Sequence, residues 1–148
     1  MMMSGKVVTG VLRGKPLIEK IYFRLIGILG FSPYKGTMDI QLEEEINIEA
    51  HSTKAVEHKL IDGQLHRDCL LAPVTLHIKD KQNDDLQYDC WAMQQVDGIY
   101  PKNIIEIIAK DKLRDMFNLN DNDVVRVEFT AHKEVKGKTP LSIFKKKK

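Results

Sequence analysis

Thr37 and Asp39 place a hydroxyl and a carboxylate two residues apart, just after the turn-forming run Ser32-Pro33-Tyr34-Lys35-Gly36. Residues i and i+2 of a strand point to the same face, so the two side chains could hold one ion or phosphate together. Hard oxygen donors of this kind suit Mg²⁺, which takes one or two protein ligands and fills its shell with water and substrate phosphate. The plainer alternative is a turn leading into an ordinary strand with Asp39 solvated, and spacing alone favours it. Glu106 poses a similar choice. It stands amid Ile104, Ile105, Ile107 and Ile108, where a carboxylate either faces outward at a strand edge or is buried for a purpose.

Two other segments could handle phosphate. Gly10, Val11, Leu12, Arg13, Gly14 and Lys15 set glycines between a strand-like and a helix-like pattern. Such a turn lets backbone N–H groups approach a phosphate closely, and Arg13 or Lys15 can add charge. The Gly-Lys-Ser/Thr ending of a P-loop is absent, and taken alone the segment reads as a plain turn. Asp111, Lys112, Leu113 and Arg114 open a short helical pattern. A helix start favours anions, and Lys112 and Arg114 could meet phosphate or base. A solvated amphipathic helix fits the same residues. The histidines lack metal-ligand spacing, and Cys69 and Cys90 belong to no CxxC pair, so buried free thiols are expected.

The elements that must position these groups are short. Residues 6–12 read as a strand ending in a turn. Leu17, Ile18, Ile21, Leu25, Ile28 and Leu29 recur at three- and four-residue steps, one apolar face of a helix that Pro16 opens and Gly30 stops. Residues 38–42 and 46–50 read as strands around the acidic Glu43, Glu44 and Glu45, which form a solvated turn. Residues 51–68 are polar and poorly periodic, with a turn at Asp62 and Gly63. Residues 69–79 and 86–94 form a hairpin around a polar loop. Residues 103–109 fit a strand or a buried helix equally well. A short helix at 110–117, a polar turn at 118–123 and a strand at 124–130 complete a mainly β pattern with two helices. Barrel closure does not follow from it.

The chain has 148 residues, 43% hydrophobic and 30% charged, the composition of one ordinary globular domain. No apolar run approaches the ~20 residues that span a bilayer. Met1, Met2, Met3, Ser4 and Gly5 precede no apolar stretch of the kind a secretory leader needs, so a cytoplasmic location is expected. The net charge is +2, yet residues 133–148 hold seven lysines and one glutamate, which leaves −4 for the remainder. That slightly acidic body offers no general field for nucleic acid, and the lysine run reads as a flexible, solubilising end.

The run from Gly30 to Ile40 resembles the Pro-Gly-Thr-Leu-Asn-Val signature of the archaeal CTP-dependent riboflavin kinases, a family built on a cradle-loop β-barrel. A second matching block comprises Tyr100, Pro101, Lys102, Asn103, Ile104, Ile105, Glu106, Ile107, Ile108 and Ala109, followed by Lys112, Leu113 and Arg114. Order, spacing and flanking patterns agree over residues 6–129, with a loose match in the middle. The resemblance implies a single-domain, six-stranded cradle-loop barrel with short helices over residues 1–132, and a separate tail over 133–148. It implies transfer of the terminal phosphate of CTP to the 5′-hydroxyl of riboflavin, giving FMN and CDP. Thr37 and Asp39 would then hold Mg²⁺. Gly10, Val11, Leu12, Arg13, Gly14, Lys15, Asp111, Lys112, Leu113 and Arg114 would hold the nucleotide. Glu106 would contact the flavin and orient or deprotonate the attacking hydroxyl, with Gly98 at a second flavin position. The expected partners are the small molecules riboflavin and CTP, with no membrane and no nucleic acid.

The chain departs from the family pattern at several of these positions. Leu12 replaces the central glycine of a Gly-x-Gly-Glu-Gly loop and Arg13 its acidic residue. Asp39 replaces Asn, adding a charge that strengthens metal binding, and Gly98 replaces Thr. Two other readings follow from these changes and from the fold: a flavin- or nucleotide-binding module without turnover, and a cradle-loop-barrel regulator that binds DNA. The acidic body argues against the second.

Overall fold

Apolar residues alternating along successive strands give the sheet two distinct faces, and in the computed structural model the chain uses both. The structure describes residues 1–9, 14–57, 59–61, 64–66, 69–80, 82–96 and 101–131, with the backbone alone at 14–17, 59–61 and 64–66. In chain order its elements are β1 (Met2–Val8), α1 (Gly14–Leu29), β2 (Met38–Leu42), β3 (Lys54–Val56), β4 (Lys59–Ile61), β5 (Gln64–His66), β6 (Cys69–Lys79), β7 (Asp85–Gln95), β8 (Ile104–Ile108), α2 (Leu113–Met116) and β9 (Val124–Phe129).

Six antiparallel strands close in the order β6-β7-β8-β2-β1-β9, with β9 returning to β6 through Val74↔Phe129 to His77↔Arg126. Closure leaves these six strands no free edge. β3 adds to the outer margin of β6, and β4 pairs only with β5. Val7, Ile40, Leu42, Ala72, Val74, Leu76, Ile105, Ile107, Val125, Val127 and Phe129 fill the interior. On the outer face, Ile18, Ile21 and Leu25 of α1 pack on Val56, Cys69, Leu71, Met93 and Ile108. β8 is therefore buried on both sides, which is why its isoleucines run almost without interruption and resemble a buried helix in sequence.

Two glycines are fixed by geometry. A Cβ on Gly5 would lie 2.6 Å from Ile40 Cγ2 and 2.9 Å from the Gln41 carbonyl, so the close approach of β1 to β2 requires its absence. Gly30 ends α1 at φ +81°, its N–H bonded to the Ile26 carbonyl at 2.8 Å.

Several boundaries differ from expectation. β1 starts at Met2 because its first residues pair with β9, Met2 facing Glu128. α1 starts at Gly14, two residues before Pro16. Residues 46–50 are not a strand: the Asn47 side chain accepts from the Glu49 N–H at 3.2 Å and caps a 3₁₀ turn, Ile48–Ala50. Residues 51–68, expected to be irregular, contain β3 and the β4–β5 pair. Cys69 and Cys90 are buried free thiols. Among the described residues no helix is long and apolar enough to cross a membrane. Asp62, Gly63 and the Lys-rich segment 133–148 lie outside the described residues.

Candidate functional site

β2 and β8 are antiparallel neighbours whose register sets Asp39 directly opposite Glu106. Opposed residues share a face, and here it is the outer one, because Ile40 and Ile105 beside them point into the barrel. Both carboxylates are buried, Asp39 at 6% and Glu106 at 3% exposure. The solvated Asp39 and the exposed edge glutamate therefore do not occur. Thr37 Oγ1 lies 3.4 Å from Asp39 Oδ1 and 3.4 Å from Glu106 Oε1, and can donate to either. Burial pushes the Glu106 carboxyl up to about 7; the Asp39 charge adds to this and the Thr37 hydrogen bond offsets part of it.

The turn before β2 holds Thr37 in place. Tyr34 N–H bonds the Ala109 carbonyl at 2.8 Å, tying this turn to the end of β8, and Gly36 N–H bonds the Tyr34 carbonyl at 2.8 Å. A Cβ on Gly36 would meet the Tyr34 ring at 2.9 Å, so glycine fits where a larger residue would displace the ring. A cavity of about 260 Å³ opens between this turn, the end of β1 and the start of α2. Lys35, Thr37, Asp39, Asp111, Lys112 and Arg114 supply its polar wall, and Leu113 anchors α2 in the core beneath it.

The cations of this cavity have distinct partners. Arg114 Nη2 donates to the Val8 carbonyl at 3.1 Å and to Thr9 Oγ1 at 2.6 Å, and pairs with Asp121 Oδ1 at 2.7 Å. Thr9 Oγ1 donates to the same Asp121 oxygen at 2.6 Å. Hydrogen bonds from Thr9 and then Arg114 hold the Asp121 carboxyl below its usual range. Lys112 Nζ lies 3.6 Å from Asp115 Oδ2 and 6.0 Å from the centre of the Tyr34 ring. Asp111 Oδ2 accepts from Tyr88 Oη at 2.9 Å, and Phe117 meets the Tyr88 ring edge to face. Burial, followed by the bond to Asp111, pushes the Tyr88 hydroxyl up to about 12.

The structure thus gathers Thr37, Asp39, Asp111, Lys112, Leu113 and Arg114 around one cavity, with Glu106 against Asp39. Gly14 and Lys15 are the first residues of α1, whereas Gly10, Val11, Leu12, Arg13 and Gly98 lie outside the described residues. Thr9, Lys35, Tyr88 and Asp121 were not singled out by sequence. Their partners are up to 112 residues away, and only the position of Thr9 and Lys35 beside glycine turns hinted at a role. The donor set of two carboxylates and a hydroxyl suits Mg²⁺ and is too small for an all-protein cage. Among the described residues no group of three or more His, Cys, Asp or Glu offers another metal site.

Fold and site together define a small closed barrel with a hard-oxygen cluster and a cation-lined cavity on its outer surface. The chain belongs to the CTP-dependent riboflavin kinase family, a family of phosphotransferases: that family's model, described as a domain of unknown function (DUF120), matches residues 7–129. It is similar to a riboflavin kinase of Methanocella arvoryzae, 33% identical over 127 residues covering 84% of this chain and 55% of that protein. A riboflavin kinase of Methanococcus aeolicus is 32% identical over 130 residues, 83% of this chain and 94% of that protein. One from Methanobrevibacter smithii is 28% identical over 131 residues, 87% of this chain and 100% of that protein. The chain spans little more than half the length of the Methanocella and Methanoculleus relatives it matches.

Proposed function

We propose that this protein transfers the terminal phosphate of CTP to the 5′-hydroxyl of riboflavin, giving FMN and CDP. The observation that carries the reading is the convergence of Thr37, Asp39 and Glu106 beside a cation-lined cavity. The names of the family and of its relatives support donor and acceptor. Asp111, Lys112, Leu113 and Arg114 would meet the nucleotide phosphates, together with the 10–15 segment that the family resemblance assigns to the nucleotide. Thr37 and Asp39 would hold Mg²⁺, which neutralises polyphosphate charge when bound. Glu106 orients the riboflavin hydroxyl and accepts its proton. Its value near neutral pH suits a group that must be ionised before transfer and protonated after it. The hydroxyl oxygen bonds to the terminal phosphorus as the bond from that phosphorus to the bridging oxygen breaks. CDP leaves with the electron pair. Positioning and charge neutralisation supply the rate enhancement, as phosphoryl transfer requires. A cytoplasmic setting accompanies this reading.

The test is FMN formation from riboflavin with CTP, ATP, GTP and UTP in parallel, with and without Mg²⁺. Turnover with CTP alone is expected. Turnover with ATP would keep the kinase and replace the donor. Flavin binding without FMN from any donor would leave a binding module.

A further inference from the structure

We propose that Lys35 meets the transferring phosphate, and that it contributes to offsetting the charge of Asp39. The inference deepens the reading above and rests on it. A polyphosphate entering this cavity approaches two nearly buried carboxylates, Asp39 and Glu106, so positive charge must stand close by. Among the described residues, Lys35, Lys112 and Arg114 are the cations lining the cavity. Arg114 Nη2 is engaged by the Val8 carbonyl, Thr9 and Asp121. Lys112 faces Asp115. Lys35 makes no ion pair among the described residues. Its Nζ rests 4.9 Å from the centre of the Tyr22 ring on α1, a hold much weaker than a charge-assisted hydrogen bond to phosphate.

The backbone directs Lys35 to the cavity mouth. It sits within the Gly36-to-Tyr34 turn, two residues before Thr37, and the side chain is exposed. A flexible four-carbon stem lets its ammonium move from the Tyr22 face to a phosphate at the Thr37–Asp39 pair. The sequence signature points the same way. Set against Pro-Gly-Thr-Leu-Asn-Val, the run Lys35-Gly36-Thr37-Met38-Asp39-Ile40 carries one additional positive and one additional negative charge, both lining the cavity.

The experiment compares Lys35→Met, Lys35→Arg, Asp39→Asn and the double variant Lys35→Met/Asp39→Asn. Kinetics for CTP and riboflavin are measured alongside calorimetric titration with Mg²⁺–CTP. Methionine keeps the unbranched stem, so packing on Tyr22 is preserved while the charge is lost. Lys35→Met should lower kcat/KM for CTP by about ten-fold or more, with the riboflavin KM unchanged, and Lys35→Arg should retain most of the activity. Asp39→Asn should lower kcat/KM in the wild-type background and raise it in the Lys35→Met background. A wild-type kcat/KM for CTP in Lys35→Met overturns the inference, as do losses that multiply in the double variant. Should the wild type form no FMN from any donor, the kinase reading fails and the titration decides separately. Ten-fold weaker Mg²⁺–CTP binding in Lys35→Met then keeps the phosphate contact, and equal affinity removes it.

Discussion

Glu106 has isoleucines on both sides along the chain and a second carboxylate across the sheet. Its pKa stands at about 7 against an ordinary 4.5, chiefly through burial and then through Asp39. A carboxyl whose folded pKa is raised contributes stability below its unfolded pKa, and that contribution is lost as pH climbs through the folded value. In metal-free protein the loss falls between about pH 4.5 and 7, and is on the order of 3 kcal/mol by linkage. Glu106→Gln removes the titration. With EDTA present, its Tm should match the wild type near pH 5 and exceed it near pH 8. A parallel pH dependence in the two proteins would show that Glu106 ionises freely. The same variant should lose about 10²-fold or more in FMN formation as proton acceptor and riboflavin contact, and wild-type kinetics would remove it from the site. Asp39→Ala should keep the fold and abolish Mg²⁺-dependent turnover, an outcome read from a Mg²⁺ titration of rate. Unchanged Mg²⁺ dependence would exclude Asp39 as a ligand.

Three elements meet where Arg114 of α2, Thr9 at the end of β1 and Asp121 in the turn before β9 share their short hydrogen bonds. Thr9 is also the last described residue before the 10–15 segment, so under the proposed function this triangle ties α2 to the end of β1 where the two segments proposed to hold the nucleotide begin. Asp121 is exposed, and exposed pairs add little to stability. Asp121→Ala and Thr9→Val should therefore leave Tm within about 2 °C while raising the CTP KM about three- to ten-fold. Thr9→Ser, which keeps the hydroxyl, should stay near wild type. Equal rises in the CTP and riboflavin KM values would instead indicate general loosening of the barrel end. Nothing in the spacing of Thr9, Arg114 and Asp121 announced this contact, because it joins Thr9 to residues more than a hundred positions away. Local spacing does encode the face of α1 in Ile18, Ile21 and Leu25, its stop at Gly30, and the shared face of Thr37 and Asp39. Residues 46–50 misled because Asn47 captures the backbone before a strand can form. Glu106 stayed ambiguous until the β2–β8 register set it opposite Asp39.

At the scale of the whole molecule, the barrel is made by one pairing that joins residues 74–77 to 126–129. No periodicity within either strand encodes that contact, so closure entered the sequence reading only through the resemblance. β9 satisfies β1 on one side and β6 on the other, and the family match ends at residue 129. The pairings that close the described barrel thus all lie before the lysine run begins. A chain ending at residue 131 should fold with a Tm within about 2 °C of the full-length protein and keep its kcat for FMN formation. Its net charge falls to −4, so the weak retention on a polyanionic resin such as heparin expected of the full chain at low salt should vanish. Retention that persists would place a basic surface on the barrel itself and revive the nucleic-acid reading. A truncated chain that fails to fold would show that residues 132–148 contribute contacts to the barrel. Intact turnover with lost retention would separate the two roles, the barrel carrying the chemistry and the tail only charge.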